Sequence, residues 1–546
     1  MTLSTDSPKK QIPSSSRRPL ALLGILSLAG GIFIWQPWQH PDPSVAASPA
    51  IPEDTAIGDL PAANGGDLSS WLQVQCAVCH QFPDPSILPR QAWRPMLTRM
   101  QEISPIIAAA DLDQMVDWYE QRAPQKFTPP YLDPSAIGTA GIDFEVISLS
   151  AGTLPTIPAT SNVRFVDLSG DGSPELLITD MANGTVLAVS FGEDGSHRIN
   201  KLADVPHPAG AEVVDLDQDG KLDLLVADLG SFRPADHQLG RALWLRATGD
   251  GYQTVVIASG LGRVADVEAA DLDGDGDLDI VVEEFGARSS KVLPGESGMT
   301  GGLWLLENQT TDWAKPKFVR RELDPRAGGV DVDIADIDGD GHLDIVRLIT
   351  QHHERLSVLY GRGGLKFAMT DAFIAPHPAW GYIDLQLVDA DGDSDLDMLL
   401  SNGDGFDSGG LMHPFHGLQL IENLGDREYR PHPLLPLPGA HGSEMADMDG
   451  DGDLDIVASA FQPFLNPVKR RGLASVVWFE CTAPWTFTRH ILKMHEVDHP
   501  TLSLADYDRD GDVDIALGFY SAGKKWTAIK RGSSLPPAII LKNKQH

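Results

Sequence analysis

Between residues 167 and 514 the chain writes nearly the same nine-residue loop seven times, in the form D-x-D-x-D-G-x-x-D. The copies begin at Asp167, Asp215, Asp271, Asp336, Asp389, Asp447 and Asp506, 48 to 65 residues apart. Self-similarity at such a period marks a stacked or radial array, because one supersecondary unit cannot bury its apolar face alone. The loop also names a chemistry. Oxygen ligands at positions 1, 3, 5 and 9 around a tight glycine turn are what a hard cation such as Ca2+ requires.

The candidate ligands are Asp167, Ser169, Asp171 and Glu175 in loop one, and Asp215, Asp217, Asp219 and Asp223 in loop two. Loop three offers Asp271, Asp273, Asp275 and Asp279, and loop four Asp336, Asp338, Asp340 and Asp344. Asp389, Asp391, Asp393 and Asp397 follow in loop five, then Asp447, Asp449, Asp451 and Asp455 in loop six. Loop seven supplies Asp506, Asp508, Asp510 and Asp514. Up to seven Ca2+ are expected, with loop one the weakest site because Ser169 replaces a carboxylate there. Loop five departs differently, with Ser394 where glycine is usual. The loops also explain the net charge of −35, since they hold 31 of the 77 acidic residues. Contiguous acidic runs are absent, and so is a basic stripe, which argues against an acidic tail and against a nucleic-acid interface.

An EF-hand would need a glutamate at position 12 and a helix on each side. Position 12 is Ile178, Val226, Val282, Arg347, Leu400, Ala458 or Leu517, and the flanks are short β-rich runs. Each loop therefore joins two strands of a hairpin. A third strand recurs at 241–245, 302–308, 417–423 and 475–480, and a fourth at 252–258, 317–323 and 487–492. Four antiparallel strands repeated seven times read as a seven-bladed β-propeller, with an open solenoid as the alternative. After the seventh loop, residues 538–543 supply a third strand but no fourth. Residues 144–150 precede the first loop with no blade of their own, and are expected to complete blade seven and remove the open sheet edge.

A second signature is unrelated to the repeat. The chain has three cysteines, and Cys76 and Cys79 with His80 spell C-x-x-C-H, the attachment pattern of haem c. The other readings are a redox pair, which wants a βαβ setting, and half a zinc site, which wants further ligands nearby. Neither context is visible, and Cys481 lies far away and reads as a buried strand residue. A proline-rich loop at 81–90 and helical patterns at 91–102 and 111–122 follow. Residues 67–132 would thus form a small α-helical haem domain. It resembles small bacterial cytochrome c domains, and that resemblance implies that Trp93 packs near the porphyrin and that Met100 is the sixth iron ligand. Met96 and Met115 are the alternatives.

Lys9, Lys10, Arg17 and Arg18 precede an apolar stretch at 19–38. Basic residues 1–18 would stay in the cytoplasm, 19–38 would serve as an uncleaved signal anchor, and 39–66 form a Pro/Ala-rich linker. Small residues at 44–47 are the alternative, as a cleavage site. The protein is expected on the periplasmic side of the membrane, or free in the periplasm or at the cell surface if cleaved.

The loops resemble the FG-GAP/VCBS repeat superfamily, of which integrin α-chain propellers are members, over about residues 144–546. The whole arrangement is similar to a group of exported bacterial proteins that combine a C-x-x-C-H segment with such repeats.

One pattern lies outside the loops. His207, His377, His441 and His499 stand 6 to 12 residues ahead of their loops, with Arg263 and Arg326 in corresponding places. Inner strands line a propeller channel, so these side chains could form an axial site for an anion, a metal or a haem edge. The plainer reading is separate, solvated loop residues, and His352, His353, His413 and His416 read the same way. An insertion at 402–416 could cover that face. No nucleophile elbow, nucleotide loop or H-E-x-x-H is present. The expectation is a periplasm-facing monohaem cytochrome whose propeller (142–546) docks an unidentified redox partner or ligand. Alternatives are a propeller oxidoreductase with haem as electron acceptor, and a calcium-dependent adhesion protein.

Overall fold

The computed structural model describes residues 71–72, 82–103, 107–108 and 111–127. It also describes 141–545 apart from 151–153, 155, 233–236, 289–298, 352, 378, 406–411, 464 and 521–534. The expected anchor, the linker and the C-x-x-C-H residues Cys76, Cys79 and His80 lie outside the described residues. Among the described residues no helix is long and apolar enough to cross a membrane.

Residues 144–543 form seven antiparallel sheets arranged as a seven-bladed propeller. Blade one runs through strands Thr160–Val166, Glu175–Asp180, Thr185–Phe191 and His197–Asp204, each paired with the next. The same order repeats around the molecule. The innermost strands are Thr160–Val166, Pro208–Val214, Arg263–Ala270, Gly329–Ala335, Tyr382–Val388, Ala440–Ala446 and Leu502–Ala505. Each touches the next, and the last touches the first, so the ring is closed. Burial follows position in the blade. Second strands such as Asp344–Ile349 and Asp397–Asn402 are buried throughout, whereas the outer strand Phe318–Asp324 is mostly exposed.

Blade seven is completed from the other end of the chain. Strand Phe144–Leu149 pairs with Ala538–Asn543 from Phe144↔Asn543 to Leu149↔Ala538, giving the sheet the four strands that its neighbours have. Blade five departs from the expected regularity. Its outer strand is split into Tyr429–Pro431 and Leu435–Pro436, both paired with Gly417–Asn423. Pro431, Pro433 and Pro436 carry no N–H to donate, and only an outermost strand tolerates that.

Each inner strand borders the channel and lacks a sheet neighbour there, so its backbone N–H groups need other acceptors. The preceding blade supplies them. Asp266 Oδ2 accepts from Val332 N–H at 3.1 Å, Asp331 Oδ2 from Leu385 at 2.9 Å and Asp384 Oδ2 from Ser443 at 2.9 Å. Gln386 serves Met445, Glu444 serves Leu504 and Ser503 serves Phe165 in the same manner. Between blades three and four, buried Arg347 bonds both oxygens of buried Glu283, at 2.8 and 2.9 Å, and also reaches Asp324.

Ahead of the propeller, Asp84 caps a 3-10 turn Pro85–Ile87, and helices Arg90–Ile103 and Leu112–Arg122 follow. Trp93 stacks on Tyr119 at 3.9 Å, and its indole N–H bonds the Pro85 carbonyl at 3.1 Å. The apolar core of this unit is continuous with one that runs into the propeller. Phe127, just past the second helix, lies 5.6 Å from the His413 ring of blade five.

Candidate metal loops and the face opposite them

All seven loops share one backbone. Position 4 has φ between +55° and +81°, and position 6 between +82° and +101°. Both lie in the left-handed region that glycine enters without penalty. Gln218 and Arg509 at position 4, and Ser394 at position 6, nevertheless adopt it. The position 1 carboxylate organises the turn, accepting the N–H of position 6 at 2.7 to 3.1 Å in every copy. Its chain neighbours then come together. Carboxylate oxygens from Asp271, Asp273 and Asp275 lie within 4.8 Å of one another, as do those of Asp336, Asp338 and Asp340, and of Asp447, Asp449 and Asp451. In loops two and five the third member is the position 9 residue, in Asp215, Asp217, Asp223 and in Asp389, Asp391, Asp397.

Position 9 has a second duty that the motif alone did not reveal. In loops two to seven this aspartate is buried, and one of its oxygens accepts a backbone N–H from the end of the blade's third strand. In most loops the other oxygen accepts the N–H of position 2, as Asp397 does from Ala390 at 3.0 Å. The residue therefore fastens the loop to the sheet as well as facing the acidic cluster. Burial, opposed by these hydrogen bonds and reinforced by the neighbouring loop carboxylates, pushes Asp279, Asp397 and Asp514 up to about 7.

The loops differ in what sits beside them. Arg246 pairs with Asp217 in loop two, Arg427 with Asp338 in loop four, and Lys542 with Asp508 and Asp510 in loop seven. Among the described residues no such cation reaches Asp273, Asp391 or Asp449, so loops three, five and six carry the least compensated charge. In loop one Ser169 puts a hydroxyl where the others have a carboxylate, and its Oγ lies 3.5 Å from Asp167 Oδ1.

The pattern of the FG-GAP-like repeat family matches residues 215–282 and 336–400. These spans run from loop two to the second strand after loop three, and from loop four to the second strand of blade five. This chain carries FG-GAP-like repeats. No curated protein matches it. The loops at Asp167, Asp447 and Asp506 lie outside the matched spans and share the same backbone and topology.

The loops join first to second strands, so the segments entering the first strands lie at the opposite end of each hairpin. There the FG-GAP-like blades hold the His/Arg set, and the expectation of solvated loop histidines is corrected. His377, His413, His416, His441 and His499 are buried. Burial pushes His413 and His441 down to about 3 and His499 down to about 4. His353 is half-buried and pushed down to about 4 by burial and nearby arginines, while His352 lies outside the described residues.

Each residue of the His/Arg set has its own surroundings. Arg326 is held between two blades, by Asp324 at the end of blade three at 2.7 Å and by Asp371 and Ser357 of blade four at 3.0 Å each. Arg263 donates to the carbonyl and hydroxyl of Ser231 at 2.9 and 3.1 Å, is pushed down to about 9 by burial, and is an electrostatic neighbour of half-buried His207. His441 and His499 each give their Nδ1–H to a backbone carbonyl, of Pro500 at 2.8 Å and of Gly518 at 3.0 Å. His377 belongs to an aromatic box with Trp380 and Phe415. Cys481 lies in strand Ala474–Ala483, and burial raises its thiol to about 11, which makes it a poor nucleophile at neutral pH.

In the helical unit, Met96 and Met100 stand one turn apart on helix Arg90–Ile103 and are both half-buried. Met115 is enclosed in the core with Trp118 and Tyr119, and Trp93 is fully buried.

Proposed function

We propose that this chain is an exported, membrane-tethered monohaem c-type cytochrome joined to a calcium-stabilised propeller that docks a redox partner. The observation that carries the reading is the C-x-x-C-H of Cys76, Cys79 and His80, placed just ahead of the two-helix unit in a chain with three cysteines. The two thiols would be consumed in thioether bonds and His80 would bind the iron. On the other side of the iron, the partial exposure of Met100 and Met96 leaves a thioether available, which enclosed Met115 lacks. Bound haem supplies reversible one-electron chemistry. The chain's part is to hold the group beside Trp93 and to exclude water from it.

The propeller's role in this reading is binding. Its loops would each neutralise a carboxylate cluster with Ca2+, and its rigid ring would present loops to a partner. A basic N-terminus followed by the apolar 19–38 stretch supports export and tethering. The deciding experiment is a pyridine haemochrome spectrum of full-length protein made with the c-type maturation machinery. One covalent haem per chain is expected, and a chain without it would leave a calcium-dependent binding protein. The buried polar groups opposite the calcium loops favour a second reading, in which the propeller oxidises a small molecule. Reduction of the haem on adding substrate, without a partner protein, would support that alternative.

A further inference from the structure

Blade five carries a buried imidazole cluster that neither the haem nor the calcium reading uses. The connection from strand Asp397–Asn402 to strand Gly417–Asn423 ends in a tight turn, in which His416 N–H bonds the His413 carbonyl at 3.3 Å. That turn sets the two imidazole centres 5.1 Å apart. Phe415, between them in sequence, is the hub of the box. It stacks on Trp380 at 5.4 Å and on His413 at 4.8 Å, and meets His377 edge-on at 4.5 Å. All five side chains are buried.

Among the described residues, several polar atoms in this box have no hydrogen-bond partner. They are both ring nitrogens of His416, Nε2 of His377, Nε1 of Trp380 and Oδ1 of Asn402. The Asn402 assignment is fixed, since its Nδ2 donates to the Phe415 and Trp380 carbonyls at 2.6 and 3.4 Å. A buried polar atom left unpaired costs about 1–3 kcal/mol, and native structures hold few of them. Five around one phenylalanine therefore imply an occupant.

The chemistry of the ring nitrogens narrows what that occupant is. An imidazole binds a metal through a ring nitrogen, and among the described residues both ring nitrogens of His416 are buried without a partner. Imidazole nitrogens favour borderline ions such as Zn2+, Ni2+ or Cu2+ over Ca2+. Two imidazoles on one tetrahedral ion, with metal–nitrogen bonds of about 2.0–2.1 Å, have ring centres about 5 Å apart. His413 and His416 already have that spacing.

We propose that His413 and His416 bind one divalent transition-metal ion, beneath the point where Phe127 meets the propeller. His377 is not a ligand in this arrangement. Its Nδ1 accepts the Ala379 N–H at 3.2 Å, so its Nε2 carries the proton and acts as a donor. With the indole N–H of Trp380 it serves the water or anion that completes the ion's coordination. Such outer donors hold a metal-bound ligand in place, and their loss ordinarily costs about 10–100-fold in affinity.

The test uses full-length protein stripped with chelator, saturated with Ca2+, exposed to Zn2+ and passed through a desalting column before elemental analysis. Wild type is expected to retain about one Zn2+ per chain. His413→Gln and His416→Gln are expected to weaken retention about ten-fold or more, while Asp451→Asn in a calcium loop leaves it unchanged. Wild-type protein that retains no zinc overturns the proposal, and the box then holds water alone. Equal retention by His416→Gln overturns it too. The wild-type count decides even if a variant fails to fold. Because zinc is counted directly, either outcome leaves the haem reading untouched.

Discussion

Asp331 Oδ2 accepts the backbone N–H of Leu385 at 2.9 Å, across the seam between blades four and five. The carboxyl is fully buried, and burial with the nearby Asp266, Asp333 and Asp384 charges raises its pKa well above the usual range. The acceptor is thus useful and the charge is a burden. Asp331→Asn keeps the acceptor and is expected to leave the urea midpoint unchanged or raised. Asp331→Ala strands the Leu385 N–H and should cost about 1–3 kcal/mol. Equal damage from both variants would show that the charge itself is required.

Two buried histidines should each contribute an acid destabilisation of the propeller, read in saturating Ca2+ so that the loop aspartates raised to about 7 stay ionised. His441 and His499 are held down to about 3 and about 4 in the folded state, against about 6.5 in an unfolded chain. Between those values the unfolded chain binds protons that the folded one does not. Their stabilisation is complete above about pH 6.5 and is lost as pH falls, by about 1.4 kcal/mol per unit for each ring. Melting temperatures from pH 6.5 to 5 in saturating Ca2+ would read this slope. His441→Asn keeps a donor for the Pro500 carbonyl and should flatten it.

Chelation of the proposed calcium is expected to lower the melting temperature sharply, chiefly through loops three, five and six, whose carboxylates are the least compensated. A melting curve that excess EDTA does not move would sink the calcium reading. Loop one offers the converse test, since Ser169→Asp completes its carboxylate set and should tighten its calcium binding in a titration.

Glycine at position 6 is there for the backbone. Gly452 sits at φ +101°, and a Cβ built on it meets no atom within 4 Å. Gly452→Ala should therefore carry only the left-handed penalty, about 1–2 kcal/mol in thermal unfolding. Ser394→Gly should relieve the same strain in loop five and move stability in the opposite direction.

The fold was legible where the sequence repeats itself. Loop spacing and β-rich flanks announced the hairpins, and the unmatched segments at 144–150 and 538–543 announced the shared blade that Phe144 and Asn543 begin. Non-local relationships were much less legible. Nothing in the run from Val330 to Ala335 says that Asp331 will serve Leu385 of the next blade, although an acid repeated on a buried strand was a usable signal. His441 and His499 looked like polar residues entering a strand, because the carbonyls they bond, of Pro500 and Gly518, lie 59 and 19 residues further along the chain. Position 9 read as a ligand because its hydrogen bonds to a third strand some 25 residues later cannot be seen in a nine-residue motif. The outer strand of blade five was obscured by its prolines.

The strand Phe144–Leu149 is made before any blade, and its partner Ala538–Asn543 is made after all seven loops. Closure therefore waits for the last strand, and it draws together segments almost four hundred residues apart. Such long-range pairing is slow to form. Until it happens the growing ring has a vacant flank beside Ala538–Asn543, and the helical unit hangs from an unpaired strand. The pairing of Phe144 with Asn543 thus depends on both ends of the array, since a chain without residues 538–543 lacks the strand that Phe144–Leu149 pairs with.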